Sequence, residues 1–169
     1  MSENINYPKG CYLGEEMKEI TIIVGSQSDI TTVEAARKYL NFFNFKYEIK
    51  VLSAHRQHDE LQSYIKTIET EEKVQAIIAC AGMAAHLPGV VAAMTQIPVI
   101  GVPLDASSLG GVDALYSIVQ MPKGIPVATM TIGKAGVINA IVFAAKIIAL
   151  NDQEMKNKLT DFHNLGSKL

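Results

Sequence analysis

A histidine flanked by serine and arginine, Ser53-Ala54-His55-Arg56, is the sharpest chemical signal in this chain. An imidazole moves protons near neutral pH without help from a metal. A guanidinium beside it offers a bidentate, charge-assisted grip on a phosphate. Arg56 is one of only two arginines, the other being Arg37. The plainer readings are a surface ion pair of Arg56, with Asp59 in reach, and a capped or core His55. A second group, Gly25-Ser26-Gln27-Ser28-Asp29, combines a tight turn with two hydroxyl donors and a carboxylate. Free amides at the start of the next helix favour an anion there. Asp29 either caps that helix or accepts hydrogen bonds from a sugar diol. The third group is Ala81-Gly82-Met83-Ala84-Ala85-His86-Leu87-Pro88-Gly89. Its backbone amides, accessible at Gly82, suit a carboxylate or carbon dioxide in an apolar pocket lined by alanines and Leu87. His86 then bonds ligand or caps backbone, whereas His58 and His163 read as helix-surface residues.

Other chemistries find no support. The stretch GKAG at 133–136 lacks the upstream Gly and the following Ser or Thr of a phosphate-binding P-loop. No GxGxxG follows the first β-like run, so no dinucleotide cofactor is expected. No GxSxG occurs, and the histidines lack metal-ligand spacing. Cys11 and Cys80 share no motif. A formal net charge of −2 with scattered Lys provides no basic stripe, so nucleic acid is not an expected partner. Residues 1–18 lack the apolar core of a signal peptide, and no long uninterrupted apolar run suggests a membrane span. A cytoplasmic protein with neither metal nor cofactor is the expectation.

The elements that must carry these groups follow from periodicity. Residues 1–18 are polar and read as a flexible extension, 19–164 as one α/β domain, and 165–169 as a tail. Short β-branched runs at Ile20–Val24, Tyr47–Leu52, Val74–Ala79, Pro98–Val102 and Val127–Thr131 predict five strands. Helical spacing predicts helices over Thr31–Phe43, His58–Glu71, Leu87–Thr95, Val112–Val119, Gly136–Leu150 and Gln153–Asn164. Strands that alternate with helices argue for a three-layer, doubly wound, mostly parallel five-stranded sheet, flavodoxin-like, of order 2-1-3-4-5. Ligands in such sheets bind beyond the carboxyl ends of the strands, where the order reverses. All three polar groups fall at such ends. The helix over 136–150 is apolar nearly all round, which fits either subunit packing or a central place within one subunit.

The motifs GSQSD (25–29), SAHR (53–56), AAHLPG (84–89), IPVIGVP (97–103), GVDALYSIVQMPKGIPVAT (111–129) and IGKAG (132–136) stand in that order. Together they closely resemble the N5-carboxyaminoimidazole ribonucleotide mutases, also called phosphoribosylaminoimidazole carboxylase catalytic subunits. The likeness spans about Ile20 to Asp161. It implies a three-layer α/β fold, a homo-octamer with sites near subunit boundaries, and no metal, ATP or biotin. By motif it implies that Ser26, Asp29 and Arg56 bind substrate, that Ser28 and Ser53 assist around phosphate and ribose, and that His55 transfers the proton. Ala81, Gly82 and the segment with His86 and Leu87 match a pocket that retains carbon dioxide. Many members have Gly-Gly where this chain has Gly82-Met83. The implied activity interconverts N5-carboxyaminoimidazole ribonucleotide and 4-carboxy-5-aminoimidazole ribonucleotide in purine biosynthesis. The alternatives are a direct aminoimidazole ribonucleotide carboxylase, whose members carry a SAHK-like motif and lack AAHLPG, and a non-catalytic nucleotide-binding homologue. A phosphoacceptor receiver domain fits poorly, because GSQSD and CAGM stand where its acidic residues would be.

Overall fold

A computed structural model describes residues 19–169; the extension expected over 1–18 lies outside them. The described elements are β1 (Ile20–Val24), α1 (Ile30–Glu34), α2 (Arg37–Phe42), β2 (Tyr47–Val51), α3 (His58–Glu71), β3 (Ala76–Gly82), α4 (Leu87–Ala92), β4 (Val99–Leu104), α5 (Val112–Val119), β5 (Ala128–Thr129), α6 (Gly133–Ile148) and α7 (Gln153–Asn164). The strands form one sheet of order β2-β1-β3-β4-β5, parallel at every pairing, as the alternation of runs predicts.

The side-chain period of a strand divides the core into two layers. Ile20, Ile22 and Val24 of β1, with Ile78 and Cys80 of β3, face one side and pack with Val33, Leu40, Val137 and Ile141 from α1, α2 and α6. Ile23, Ile77, Ala79 and Ala81 face the other and meet Leu61, Ile65, Val91 and Ile118 from α3, α4 and α5. A parallel sheet buried on both faces needs such near-continuous apolar strands. Phe162 of α7 stacks edge-on against Tyr39 and Phe43, which ties the last helix to α2. Asp152 caps α7 by accepting from the Met155 amide at 2.7 Å.

Several boundaries differ from the periodicity. The single helix expected over 31–43 breaks at Ala35–Ala36, where Ala36 leaves helical geometry (φ −103°, ψ 2°). The run Ile30-Thr31-Thr32-Val33 has weak helix propensity, and the break lets both short helices turn apolar residues to the sheet. Strands β3 and β4 run further than expected, to Gly82 and Leu104, which are register partners. A Cβ at Gly82 would lie 2.6 Å from the Ala106 Cβ, so glycine lets the strand continue beside its neighbour. β5 shrinks to two half-buried residues at the sheet edge. Helix α6 starts three residues earlier than its apolar run, at Gly133, whose φ is +72°. It lies over β3 and β4 and touches α1, α2 and α7, so burial within one chain accounts for most of its apolar surface. Phe143 and, just beyond the helix, Leu150 stay exposed.

Candidate active site

The carboxyl ends of β1, β2 and β3 lie side by side because Val24 pairs with both Val51 and Cys80. The strand order reverses there, with β1 running back to β2 on one side and crossing to β3 on the other. Three loops therefore open onto one edge of the sheet.

After β1 the chain tightens into a 3-10 turn over Gln27–Asp29. Ser26 is its cap, with its hydroxyl oxygen accepting weakly from the Ser28 amide at 3.4 Å. The Ser26 and Ser28 hydroxyls are 2.9 Å apart, and Ser28 Oγ donates to Asp29 Oδ1 at 3.5 Å. Asp29 makes no side-chain cap bond, so the capping alternative does not describe it. Its carboxylate instead lies back over Gly25, with Oδ2 3.8 Å from where a Gly25 Cβ would stand and the Ala81 Cβ 4.0 Å from that same point. Asp29 is only 8% exposed. Burial raises its carboxyl above the ordinary Asp value, against the Ser26 backbone and the Ser28 hydroxyl, which favour the ionised form. Cys80, fully buried on β3, is pushed well above the usual thiol range by burial and by the Asp29 charge. That thiol is chemically quiet.

After β2, Ser53 is buried and its amide donates to Gln57 Oε1 at 3.2 Å, while the Gln57 amide donates to the Ser53 carbonyl at 2.9 Å. This reciprocal pair closes the loop that presents His55 and Arg56. Gln57 has no motif to announce it; only its place four residues after Ser53, at the start of α3, hints at the role. Arg56 is exposed and forms neither a hydrogen bond nor an ion pair with any described residue, so the expected alternative of an Asp59 pair is not realised. A guanidinium presented without a protein partner is available to an anion.

After β3, the His86 amide donates to the Ala84 carbonyl at 2.7 Å, a tight reversal that swings the imidazole towards β2. His55 Nε2 and His86 Nδ1 are 2.8 Å apart, with the rings edge to face at 4.9 Å. His86 stands at the start of α4 but caps nothing with its side chain. The contact needs one nitrogen as donor and the other as acceptor, so only one of these two nitrogens can carry the proton between them. A proton held there is shared between two exposed rings, which suits transfer to and from a ligand. Ala81, from β3, and Leu87, from α4, are buried in the same core layer. Met83 adopts φ +55°, the left-handed region, and is 62% exposed. That conformation costs an L residue about 1–2 kcal/mol, and it gives a physical reason for the Gly that many members of the resembled family carry there.

The structure thus brings Ser26, Ser28, Asp29, Ser53, His55, Arg56, Ala81, Gly82 and His86 to one end of the sheet. The result is a cluster of polar groups: the hydroxyls and carboxylate of the β1 turn, the His55–His86 imidazole pair, and an Arg56 guanidinium unpaired among the described residues. Such a constellation can hold a phosphorylated sugar and move a proton. Among the described residues, no helix is long and apolar enough to cross a membrane.

Comparisons with known proteins bear on most of the chain. Residues 19–168 match the family model of AIR carboxylase. The N5-carboxyaminoimidazole ribonucleotide mutase of Escherichia coli strain K12 is 49% identical over 143 residues, 85% of this chain and 84% of that protein. The proteins of the same name from Pyrococcus abyssi and Bacillus subtilis are also 49% identical, over 86% and 84% of this chain and 82% and 87% of theirs. The crystal structure of Treponema denticola PurE superposes with a TM-score of 0.80 at 28% identity, covering 88% of this chain and 90% of that one. With a family model matched from Glu19 almost to the last residue, and half-identity to curated relatives across most of both chains, this chain belongs to the AIR carboxylase family.

Proposed function

We propose that this chain is an N5-carboxyaminoimidazole ribonucleotide mutase, an isomerase of purine biosynthesis. The observation that carries the reading is the His55–His86 pair, 2.8 Å apart beside the unpartnered Arg56, in a chain half-identical to proteins of that name. Arg56 holds the substrate phosphate, with Ser26, Ser28 and Ser53 around it, and Asp29 accepts from the ribose hydroxyls. The carbamate sits towards Ala81, Gly82, His86 and Leu87.

The reaction is a net isomerisation. The carbamate N–C bond breaks, its electron pair stays on nitrogen, and carbon dioxide is released into the pocket. The enamine-like ring carbon C4 then attacks carbon dioxide and forms the new C–C bond. One proton must leave C4 and one must reach the nitrogen, so a single shuttle closes the balance. His55 takes that role, and His86, 2.8 Å away, takes or returns the same proton. Holding both fragments together replaces a bimolecular encounter by a proximity advantage. The motifs SAHR and AAHLPG favour this over direct carboxylation of aminoimidazole ribonucleotide, and the assembled crevice argues against an idle homologue.

Enclosure is what a single chain lacks. Ser28, His55, Arg56, Met83 and His86 are all exposed. Helix α5 presents Val112, Tyr116 and Val119 to solvent at helical spacing, with Leu109 before it. These features support assembly in which neighbouring subunits complete the site, and the family resemblance makes that assembly a homo-octamer. The cytoplasm, where purine nucleotides are made, is the corresponding location.

The test is turnover of freshly made N5-carboxyaminoimidazole ribonucleotide against aminoimidazole ribonucleotide with low bicarbonate. Rapid conversion of the carbamate alone supports the mutase. Efficient use of the second mixture would favour the direct carboxylase, and silence in both would favour the idle homologue.

A further inference from the structure

Residues 81–86 line the corner of the crevice where the carbamate is placed, and all but two are alanine or glycine. The exceptions are His86, engaged with His55, and Met83. Met83 holds a left-handed backbone at φ +55° and leaves its long side chain 62% exposed at the end of β3. Neither feature helps the free protein, since glycine would relieve the backbone and expose no apolar surface. Methionine is unbranched, flexible and apolar, and so adapts its shape to what it covers. Carbon dioxide has no net charge or dipole; it is held by walls more than by hydrogen bonds, and a corner of alanine and glycine leaves gaps.

We infer that Met83 is a retention residue: its thioether side chain folds across the rim of the alanine-glycine corner and slows escape of carbon dioxide between bond cleavage and recarboxylation. The inference rests on the mutase reading. Met83 touches no reacting nitrogen and moves no proton. It sets the partition of the trapped intermediate between capture by C4 and loss to solvent.

The experiment follows one labelled carbon. The full chain is given N5-carboxyaminoimidazole ribonucleotide carrying ¹³C in the carbamate, in unlabelled bicarbonate buffer, with an enzyme-free blank. Mass spectrometry reads the fraction of 4-carboxy product that keeps the label. Wild type should keep most of it, Met83→Leu nearly as much, and Met83→Gly distinctly less. Escape from Met83→Gly should rise about fourfold, the factor to which covering one methylene group, about 0.8 kcal/mol, converts at room temperature. The ratio is read within each protein, so a change in overall rate does not enter. Glycine suits φ +55°, so this variant should melt no lower than wild type, and misfolding cannot imitate leakage. Equal retention in Met83→Gly and wild type would overturn the assignment, as would a loss in Met83→Leu as large as in Met83→Gly. If wild type itself forms no product from the carbamate, the mutase reading falls and this assignment falls with it. The wild-type lane thus separates the two failures.

Discussion

Arg56→Ala is expected to leave the fold intact and to weaken nucleotide binding sharply. In the free protein the guanidinium is exposed and has no hydrogen bond or ion pair to any described residue. Its removal breaks no contact, and surface changes of that kind alter stability by about 0.5 kcal/mol or less. In the complex, a charged hydrogen bond to phosphate contributes about 1.5–3 kcal/mol. With every 1.4 kcal/mol worth tenfold in affinity, Kd for aminoimidazole ribonucleotide should rise about 10- to 150-fold. Titration calorimetry at low salt measures this directly, beside urea melts of the same samples. Arg56→Lys keeps the charge but loses the planar fork, so its affinity should fall between the two. Added salt should narrow the gap, because an exposed ion pair is screened. An affinity within about twofold of wild type would remove Arg56 from the phosphate site. A stability loss beyond about 1 kcal/mol would mean that Arg56 holds the loop itself.

Three further outcomes follow. His55→Asn should cut turnover about 10²-fold or more while nucleotide affinity changes little, since general acid–base groups contribute rate and not ground-state binding; steady-state kinetics with calorimetry would show it, and wild-type-like turnover would sink the role. Asp29→Asn should stabilise the protein at neutral pH yet weaken ribonucleotide binding. The Asp29 carboxyl is raised by burial, so its ionised form opposes folding above that raised value and the penalty lifts as pH falls through it. The urea midpoints of Asp29→Asn and wild type should therefore converge on acidification, and a variant less stable at pH 7 would contradict this. Gly136→Ala would place a Cβ 1.8 Å from the Thr131 carbonyl oxygen and 2.9 Å from Val102 Cγ1. Overpacking against backbone should cost about 3 kcal/mol, lowering Tm by roughly 6–12 °C; Gly124→Ala, with nothing within 4 Å at φ +92°, should cost only its left-handed conformation, about 1–2 kcal/mol.

The fold was legible because period and punctuation agree. Ile20–Val24 reads as a strand and is one, and His58–Glu71, Val112–Val119 and Gln153–Asn164 begin and end where their spacing and flanking residues put them. The alternation of strands and helices implied parallel pairing, the flavodoxin-like default supplied the order that the sheet has, and that order put the three polar groups at one end of the sheet. What stayed hidden are facts of packing. The extension of β3 to Gly82 depends on Ala106, remote in sequence but two residues past Gly82's partner Leu104, and the break at Ala36 depends on which residues the sheet face accepts. Sequence offered His86 two equal roles, ligand contact or backbone cap. Neither choice mentioned a second imidazole, because the 31 residues separating it from His55 acquire meaning only when β2 and β3 flank β1.

That juxtaposition also explains why the chemistry needs this fold and not merely these residues. His55 and Arg56 come from an edge strand, half-buried along its length, while His86 and the alanine-glycine corner come from a strand buried in the middle of the sheet. The buried strand fixes the position of the alanine-glycine segment that follows it. In the proposed function, the edge side carries the groups that reach a nucleotide and exchange a proton. β1 lies between them, and its turn spends stability on a buried carboxylate that accepts from the Ser28 hydroxyl, itself bonded to Ser26. A polar group set against folding in this way is kept where binding uses it. The Asp29 penalty and the Met83 backbone are local departures from what stability alone would select, and the exposed Arg56 is a third feature that stability does not call for. All three stand at the same end of the sheet, and the binding of one phosphorylated, carboxylated ligand accounts for them together.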